Sequence, residues 1–375
     1  MQPPLHLLIK PASGNCNLRC KYCFYADITE KREIPSFGMM TEETLEIVVK
    51  KALLSGAPEV TFAFQGGEPT LVGLPFYRRL MQLQAQYNEK HIPIHNAIQT
   101  NGILMDDEWA AFFAENRFLV GLSMDGTEAA NDLHRVDAKG DGTHKRLMQV
   151  VRLFKKHKVE FNILTVVTAK VAKDIKSIYA FFKRNELPYQ QYIPCLDPFG
   201  EDRGGYAHSL TPQLYEKFLK DLFDLWFDDV VHGRFIYNRY FENLVGMLLG
   251  QPPEACGMMG FCSRQNVIEA DGGVYPCDFY VLDEYKIGSL ISDDWAVIEE
   301  NRAKLGFIEV SRPMHKDCAA CKWRPLCRGG CRRDREPQLG DEMSRNYFCS
   351  AYKGFFEYAY PRLEHLARGI ASRRR

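Results

Sequence analysis

The chain has 375 residues, of which 46% are hydrophobic and 12% aromatic, and this composition excludes a disordered protein. Its 48 basic and 48 acidic residues give a formal net charge of +0, so we expect no nucleic-acid partner. The N-terminal segment lacks the pattern of a signal peptide, and no apolar stretch is long enough to cross a membrane. We therefore expect no membrane association and a cytoplasmic location.

Six short apolar segments alternate with longer amphipathic segments over the first 235 residues. Such alternation is typical of repeated strand–helix units that form a parallel sheet. The predicted strands are residues 5–10, 59–65, 94–100, 118–124, 159–168 and 189–196. Six units predict an α/β fold with a partial (β/α)6 barrel of the TIM type, in which functional residues gather at the carboxyl ends of the strands.

Two of the intervening helices have clear start signals. Thr41, followed by two glutamates, is a predicted N-cap for a helix that ends near Ser55. Thr211 followed by Pro212 predicts the start of a longer helix.

The character of the sequence changes after about residue 235. The strand–helix alternation stops, and a region rich in glycine, proline and cysteine begins near residue 251. We predict a barrel over residues 1–235 and a second domain over residues 236–375. The second domain is expected to have little core of its own and to be stabilised by metal.

The 12 cysteines point to metal ligands, because a reducing cytoplasm does not favour disulfides. Cys16, Cys20 and Cys23 form a C-x3-C-x2-C motif directly after the first predicted strand. Three thiolates can hold an iron–sulfur cluster, but a [4Fe-4S] cluster normally takes four protein ligands. One iron is therefore expected to remain open, as in a catalytic metal site.

A second group of eight cysteines comprises Cys256, Cys262, Cys277, Cys318, Cys321, Cys327, Cys331 and Cys349. Eight thiolates divide into two sets of four, which fit either two closed [4Fe-4S] clusters or two zinc sites. Spacing alone would group the four cysteines from residue 318 to residue 331. Cys195 is left over and is predicted to be a buried free thiol.

The first motif, with GGEP at residues 66–69 after the second strand, resembles the radical S-adenosylmethionine (SAM) superfamily. The resemblance implies that SAM chelates the open iron and that an electron from the cluster cleaves it to a 5′-deoxyadenosyl radical. It also implies a set of SAM-contacting residues, with Tyr22 near the adenine and the two glycines near the methionine amino group. That set is Tyr22, Gly66, Gly67, Ser123, Arg135 and Leu196.

The C-terminal cysteines resemble the SPASM-type extension of radical SAM enzymes that modify peptides. Together with CNLRCKYCFY, AFQGGEPTL and VYPCDFYVLD, they make nearly the whole chain similar to the anaerobic sulfatase-maturating enzymes. This resemblance implies three [4Fe-4S] clusters and interleaved auxiliary ligand sets. The sets are Cys256, Cys262, Cys277 and Cys331 for one cluster, and Cys318, Cys321, Cys327 and Cys349 for the other.

The reaction implied by that family is oxidation of a cysteine or serine in a sulfatase polypeptide to Cα-formylglycine. The substrate segment reads C/S-x-P/A-x-R, and a low-potential carrier such as ferredoxin or flavodoxin supplies electrons. Another SPASM-type peptide maturase, such as a thioether-forming one, and a zinc-stabilised binding protein remain as alternatives. The motifs do not decide between cysteine and serine, because that choice depends on the pocket.

Such an oxidation needs a hydrogen-atom abstractor, a base for the substrate proton and an acceptor for the remaining electron. Asp278, which follows Cys277, is the predicted base and matches the family's proton acceptor. A free thiol titrates near ~8.5, so it stays mostly protonated at neutral pH without such a base. A turn-forming aspartate is the alternative role for Asp278. Tyr25 and Gln65 are weaker candidates for orienting the peptide.

Overall fold

The computed structural model describes residues 3–339 and 342–373. Its strands are β1 (Leu5–Ile9), β2 (Val60–Phe64), β3 (Ile94–Thr100), β4 (Leu119–Ser123), β5 (Phe161–Val167), β6 (Tyr189–Pro194), β7 (Tyr237–Asn238), β8 (Asn266–Ile268), β9 (Gly273–Tyr275), β10 (Gly288–Ser289), β11 (Gln338–Leu339) and β12 (Glu342–Met343). Its α-helices are α1 (Phe24–Glu30), α2 (Glu42–Leu53), α3 (Leu74–Tyr87), α4 (Asp107–Glu115), α5 (Glu128–Asn131), α6 (His144–His157), α7 (Ala169–Arg184), α8 (Pro212–Val231), α9 (Arg239–Leu248), α10 (Trp295–Leu305), α11 (Lys316–Ala319), α12 (Arg324–Cys327) and α13 (Cys349–Arg373).

The six predicted strands form β1 to β6, and neighbouring strands pair in parallel and in chain order. Their buried residues alternate along β1 and β2, so one face of each strand packs against the helices. Because the strands are parallel, their carboxyl ends lie at one edge, where the connecting loops converge. The prediction of six parallel strand–helix units is confirmed.

The sheet extends beyond these six strands, in the order β10-β9-β8-β1-β2-β3-β4-β5-β6-β7. On one side β7 pairs in parallel with β6 and leads into α9, so the prediction that the alternation stops near residue 235 is wrong. On the other side β8 pairs in parallel with β1. Strands of two or three residues are too short to give a readable period-two pattern. The division of the chain at residues 235 and 236 stays a prediction.

Both predicted helix starts are confirmed. The Thr41 side chain accepts a hydrogen bond from the Thr44 amide at 3.1 Å, and α2 ends at Leu53, close to the predicted end. Thr211 caps α8 in the same way, through the Leu214 amide at 3.3 Å. Each cap satisfies an amide that the first turn of a helix leaves without an intrahelical partner.

The C-terminal segment packs its apolar residues onto the barrel. Ile268, Val274 and Leu290 belong to the same buried cluster as the barrel strands and helices. A smaller buried cluster joins Val267 and neighbouring C-terminal residues to Tyr25 of α1. The segment therefore has little core that is independent of the barrel. No helix in the described residues is both long enough and apolar enough to cross a membrane.

Candidate active site

The loop between β1 and α1 carries Cys16, Cys20 and Cys23 and lines a cavity of about 360 Å³. The walls of this cavity come from the carboxyl ends of neighbouring strands, as expected for a barrel of this type. All the predicted SAM contacts also line the cavity, namely Tyr22, Gly66, Gly67, Ser123, Arg135 and Leu196. The structure thus brings the three thiols and these six residues around one space, which we call the SAM cavity.

The three thiols influence one another. Burial raises the pKa of Cys16 to about 11, and the neighbouring Cys23 adds to the increase. Burial likewise raises the pKa of Cys20 to about 12, although the positive charge of Arg135 opposes the increase. Only a thiolate binds metal, so loading this site with iron releases protons.

Gly66 and Gly67 form a sharp turn after β2, with φ values of +110° and +56°. A Cβ on Gly66 would lie 2.7 Å from the Lys10 amino group, and one on Gly67 would collide with the Asn15 carbonyl oxygen. Glycine is therefore required for the turn to pack against the cysteine loop. This packing requirement adds to the close approach of SAM that the family resemblance implies for the two glycines.

Arg135 pairs with the carboxylate of Asp125. Its Nε donates to Asp125 Oδ2 at 3.0 Å and its Nη2 donates to Oδ1 at 3.3 Å, while the Tyr22 hydroxyl donates to the same carboxylate. All three side chains are buried. Arg135 and Tyr22 are therefore fixed in the cavity wall, and their contact with SAM stays a prediction.

Glu68 of the GGEP segment is buried and ties two strand ends together. Its carboxylate accepts hydrogen bonds from the Thr70 amide at 3.1 Å, the Thr100 hydroxyl at 2.7 Å and the Asn101 amide at 2.7 Å. Burial raises the pKa of Glu68. The side chain of Asn101 in turn donates to Asn17 at 2.8 Å, within the cysteine loop. Glu68 thus holds the rim of the SAM cavity in place.

A second cavity, of about 400 Å³, is lined by Cys256, Cys262, Cys277 and Cys331. We call it the auxiliary cavity. Gln65, Leu196, Asp278 and Phe279 line both this cavity and the SAM cavity. The two cavities therefore meet at Asp278, the predicted base.

The Asp278 carboxylate is held by two side chains. Lys10 Nζ donates to Oδ1 at 2.5 Å, and Gln65 Nε2 donates to Oδ2 at 2.9 Å. Lys10 is fully buried, and its amino group also lies 3.8 Å from the centre of the Tyr25 ring. Lys10 was not predicted to belong to the site, although a lysine that directly follows the apolar residues of a buried strand is an unusual feature.

Tyr25 lines the SAM cavity, and its predicted role in orienting the peptide stays a prediction. Its hydroxyl donates to Glu269, and Arg32 pairs with the same carboxylate at 2.7 Å. Both charged side chains are completely buried. This network joins α1 to the β8–β9 hairpin, and its member Tyr25 also lines the SAM cavity.

The eight C-terminal thiols divide into two interleaved sets. Burial raises the pKa of Cys277, and the thiols of Cys331 and Cys262 raise it further. Cys331 is likewise influenced by Cys256 and Cys262. The second set lines a separate small cavity and consists of Cys318, Cys321, Cys327 and Cys349. Cys331 therefore shares the auxiliary cavity with the three upstream cysteines, and the assignment of these four thiols to one cluster stays a prediction.

Zinc ions and iron–sulfur clusters require different arrangements of thiols. In the part of the chain that the structure describes, no group of three or more His, Cys, Asp or Glu side chains is arranged to hold a single metal ion. A zinc site would require four sulfurs at about 2.3 Å from one ion.

Arg335 is a buried charged residue whose position fits iron–sulfur clusters at the C-terminal thiols. Its side chain is buried, and among the described residues its Nε and Nη1 have no hydrogen-bond partner. Its charge acts on Cys262 and Cys331 of one set and on Cys318 of the other, so it lies between the two sets. Buried donors normally have acceptors, and the sulfur atoms of anionic clusters would provide them. Cys195, by contrast, is buried outside these sets, as predicted.

Two family models match the chain. The Radical SAM superfamily model covers residues 11–182. The SPASM model, described as an iron–sulfur cluster-binding domain, covers residues 256–322. The first match spans the cysteine loop and strands β2 to β5, and the second includes five of the eight C-terminal cysteines.

Several known proteins are similar to the chain over nearly its whole length. The cysteine-type anaerobic sulfatase-maturating enzyme of Clostridium perfringens is 48% identical over 98% of this chain and 100% of its own length. The serine-type enzyme of Bacteroides thetaiotaomicron is 30% identical over 98% of this chain and 92% of its own. A solved structure of native anSMEcpe with bound AdoMet (SAM) and Cp18Cys peptide is 47% identical, with a TM-score of 0.94, and the match covers 98% of this chain and 100% of that chain.

The two family matches agree with a cysteine loop on a parallel sheet and with a cysteine-rich C-terminal region, and the full-length similarity narrows the assignment. The chain belongs to the anaerobic sulfatase-maturating enzymes, which are radical SAM enzymes with a C-terminal iron–sulfur cluster-binding domain.

Proposed function

We propose that this enzyme oxidises a cysteine in a C-x-P/A-x-R segment of a sulfatase polypeptide to Cα-formylglycine. The observation that carries the proposal is the position of Asp278, where the SAM cavity and the auxiliary cavity meet. Cysteine is favoured over serine because the cysteine-type relative shares 48% identity and the serine-type relative only 30%.

The proposed cofactor ligands follow the three groups of thiols. Cys16, Cys20 and Cys23 hold the [4Fe-4S] cluster that binds SAM, and the two interleaved sets hold one auxiliary [4Fe-4S] cluster each. When bound, SAM and its cluster would allow a hydrogen atom to be removed from the substrate Cβ, and the auxiliary clusters would take up the remaining electron. The Gly66–Gly67 backbone and the side chains of Tyr22, Ser123, Arg135 and Leu196 form the proposed SAM pocket.

Asp278 is the proposed base, and its task is to accept the thiol proton of the substrate cysteine. Each carboxylate oxygen has two lone pairs, so the bonds from Lys10 and Gln65 leave acceptor capacity for the substrate. The buried Lys10 also provides a positive charge beside the carboxylate. The two bonds restrict the rotation of the carboxylate at the point where the two cavities meet.

We further propose a cytoplasmic location and a low-potential electron donor such as ferredoxin or flavodoxin. All 12 cysteines are free, and thiols that serve as metal ligands are favoured in a reducing compartment.

The proposal is tested with the holoenzyme under anaerobic conditions, supplied with SAM, dithionite and a synthetic C-x-P-x-R peptide. Hydrazine labelling and mass spectrometry should detect an aldehyde at the cysteine position, and the matched serine peptide should react more slowly. An alanine peptide controls for side reactions. A product that loses two hydrogens, keeps its sulfur and carries no aldehyde would instead support the thioether-forming alternative.

A further inference from the structure

A surface cleft of about 600 Å³ lies beside the second set of C-terminal thiols. Its rim carries three guanidinium groups, those of Arg312, Arg324 and Arg328, and its floor is apolar. We call it the arginine cleft. The function proposed above assigns it no role.

Among the described residues, no carboxylate compensates the positive charge of the arginine cleft. In the described part of the chain no acidic residue lines it, and none of its three arginines forms a salt bridge. Asp317, a nearby carboxylate in the sequence, instead lies at 3.5 Å from Arg345. In contrast, Arg333 and Arg335, which follow in the same segment, are buried.

The cleft is formed by two tightly packed loops. Arg328 has a φ of 51°, and Gly260 on the facing loop has a φ of 88°. A Cβ on Gly260 would lie 2.5 Å from the Arg328 carbonyl oxygen. Within the cleft, the Arg312 guanidinium lies 4.5 Å from the centre of the Phe261 ring. A surface held in this way needs little reordering when a partner binds.

Arg324 connects the cleft to the interior. It lines the arginine cleft and also the small cavity that contains Cys318, Cys321, Cys327 and Cys349. Arg324 begins α12 and Cys327 ends it, so a single helical turn separates the surface from a proposed cluster ligand. A partner in the cleft would therefore lie next to this auxiliary cluster site.

We infer that the arginine cleft docks an acidic one-electron carrier protein, which takes the electron that substrate oxidation delivers to the auxiliary clusters. The inference rests on the proposed function. Three guanidinium groups without a carboxylate partner in the described residues suit a carboxylate-rich surface, and charge complementarity speeds the encounter of two proteins. Redox partners also associate through small interfaces, below about 1,200 Å² in total, so a local group of charges can guide their docking.

The electron balance requires such an acceptor. Converting the substrate thiol to a thioaldehyde removes two electrons and two protons. One hydrogen atom leaves Cβ, one proton goes to Asp278, and one electron remains. Water then replaces sulfur, releasing hydrogen sulfide without further electron transfer. The remaining electron reduces the oxidised carrier by one electron, and the reduced carrier can later supply the SAM-binding cluster.

The test uses the anaerobically purified holoenzyme and an acidic flavodoxin as the probe. The variant is Arg312→Gln/Arg328→Gln, and the matched control is Arg152→Gln/Arg184→Gln, two exposed arginines on α6 and α7. Binding of oxidised flavodoxin is measured at low and at high salt. Iron content and circular dichroism verify that each variant retains its clusters and fold.

We expect the cleft variant to bind flavodoxin about tenfold more weakly at low salt and with a smaller salt dependence, while the control variant binds like the wild type. Flavodoxin-driven peptide oxidation should fall by a similar factor relative to the same variant's dithionite-driven rate. Equal binding by the cleft variant and the wild type, or no salt-dependent binding by the wild type, would overturn the inference. Failure of the proposed function is seen separately, as an absence of formylglycine from the wild type with dithionite.

Discussion

The SAM cavity and the C-terminal cysteine region hold similar groups of thiols on very different scaffolds. The three thiols of the SAM cavity come from one loop after β1, and strand ends of a parallel sheet surround them. The C-terminal thiols come from loops, single helical turns and the start of α13, spread over residues 256–349. We therefore expect the sheet to position the first site without metal, whereas the second region should depend on contact with the barrel and on its clusters.

Removing one thiol from each region should produce the largest difference between the two regions. Cys20→Ala should abolish SAM cleavage and remove about four irons per chain, yet leave the barrel stable. Cys327→Ala should also remove about four irons, but it should make the C-terminal region sensitive to proteases, because cluster binding contributes to folding there. Iron analysis, SAM cleavage and limited proteolysis measure these effects.

Cys195→Ala is the control for both variants, because Cys195 is buried outside the three thiol groups. It should keep its full iron content. Equal protease resistance of the Cys20 and Cys327 variants would contradict the distinction between the two regions.

Asp278→Asn tests the point where the two regions meet. We expect formylglycine formation to fall about 10²- to 10⁴-fold, the usual contribution of a general base, while SAM cleavage stays measurable. Asp294→Asn, at an exposed aspartate that precedes α10, is the matched control. Unchanged peptide oxidation by the Asp278 variant would remove the base assignment.

The buried Arg32–Glu269 pair links the regions mechanically, and Arg32→Met should destabilise the protein by about 3–5 kcal/mol. Burial alone would raise the pKa of Glu269, but Arg32, together with the Tyr25 hydroxyl and Lys10, holds this pKa below its ordinary value. A lowered carboxylate pKa stabilises the fold above the unfolded-state pKa of about 4.3, and that contribution is lost as the pH falls below it. Denaturant unfolding at neutral and acidic pH checks both points.

The Arg32 variant should therefore lose less stability on acidification than the wild type does, because its Glu269 no longer has a lowered pKa. Parallel acid dependence in the two proteins would show that the pair does not couple the regions.

Lys10→Met sharpens the account of Asp278. The substitution removes one of the two bonds that hold the carboxylate, and a misplaced catalytic group can cost about a hundredfold in rate. The loss should appear in kcat rather than in KM for the peptide, and Lys10→Arg should restore part of it. A change confined to KM would instead assign Lys10 to peptide binding.

The smallest expected effect lies in the barrel. Thr211→Ala removes the N-cap of α8 and should lower the free energy of unfolding by about 1 kcal/mol. Thr211→Ser retains the cap and is the matched control. Iron content should stay the same in both variants, since the cap lies outside the thiol sites.

The two regions also differ in how much the sequence predicts. Strands β1 to β6 and the grouping of Cys16, Cys20 and Cys23 follow from periodicity and short spacing, because each of these patterns lies within a few consecutive residues. The placement of Cys331 with Cys256 depends on folding between distant segments, and only the family resemblance suggested it.

Lys10 and Glu269 illustrate the remaining limit. Each is a charged residue whose partner lies more than 200 positions away in the chain, Asp278 for Lys10 and Arg32 for Glu269. Neither pairing leaves a local pattern, because the β1–β8 contact that brings the segments together involves a strand of only three residues. The structure was needed to recognise this part of the site.

The most direct test of the central claim follows hydrogen from the peptide. A C-x-P-x-R peptide deuterated at the cysteine Cβ is incubated anaerobically with holoenzyme, SAM and dithionite, and the 5′-deoxyadenosine is analysed by mass spectrometry. If SAM bound in the SAM cavity acts on a cysteine placed beside Asp278, the 5′-deoxyadenosine carries deuterium and forms together with the aldehyde. 5′-Deoxyadenosine that never carries deuterium, from a peptide that stays unoxidised, would contradict the account.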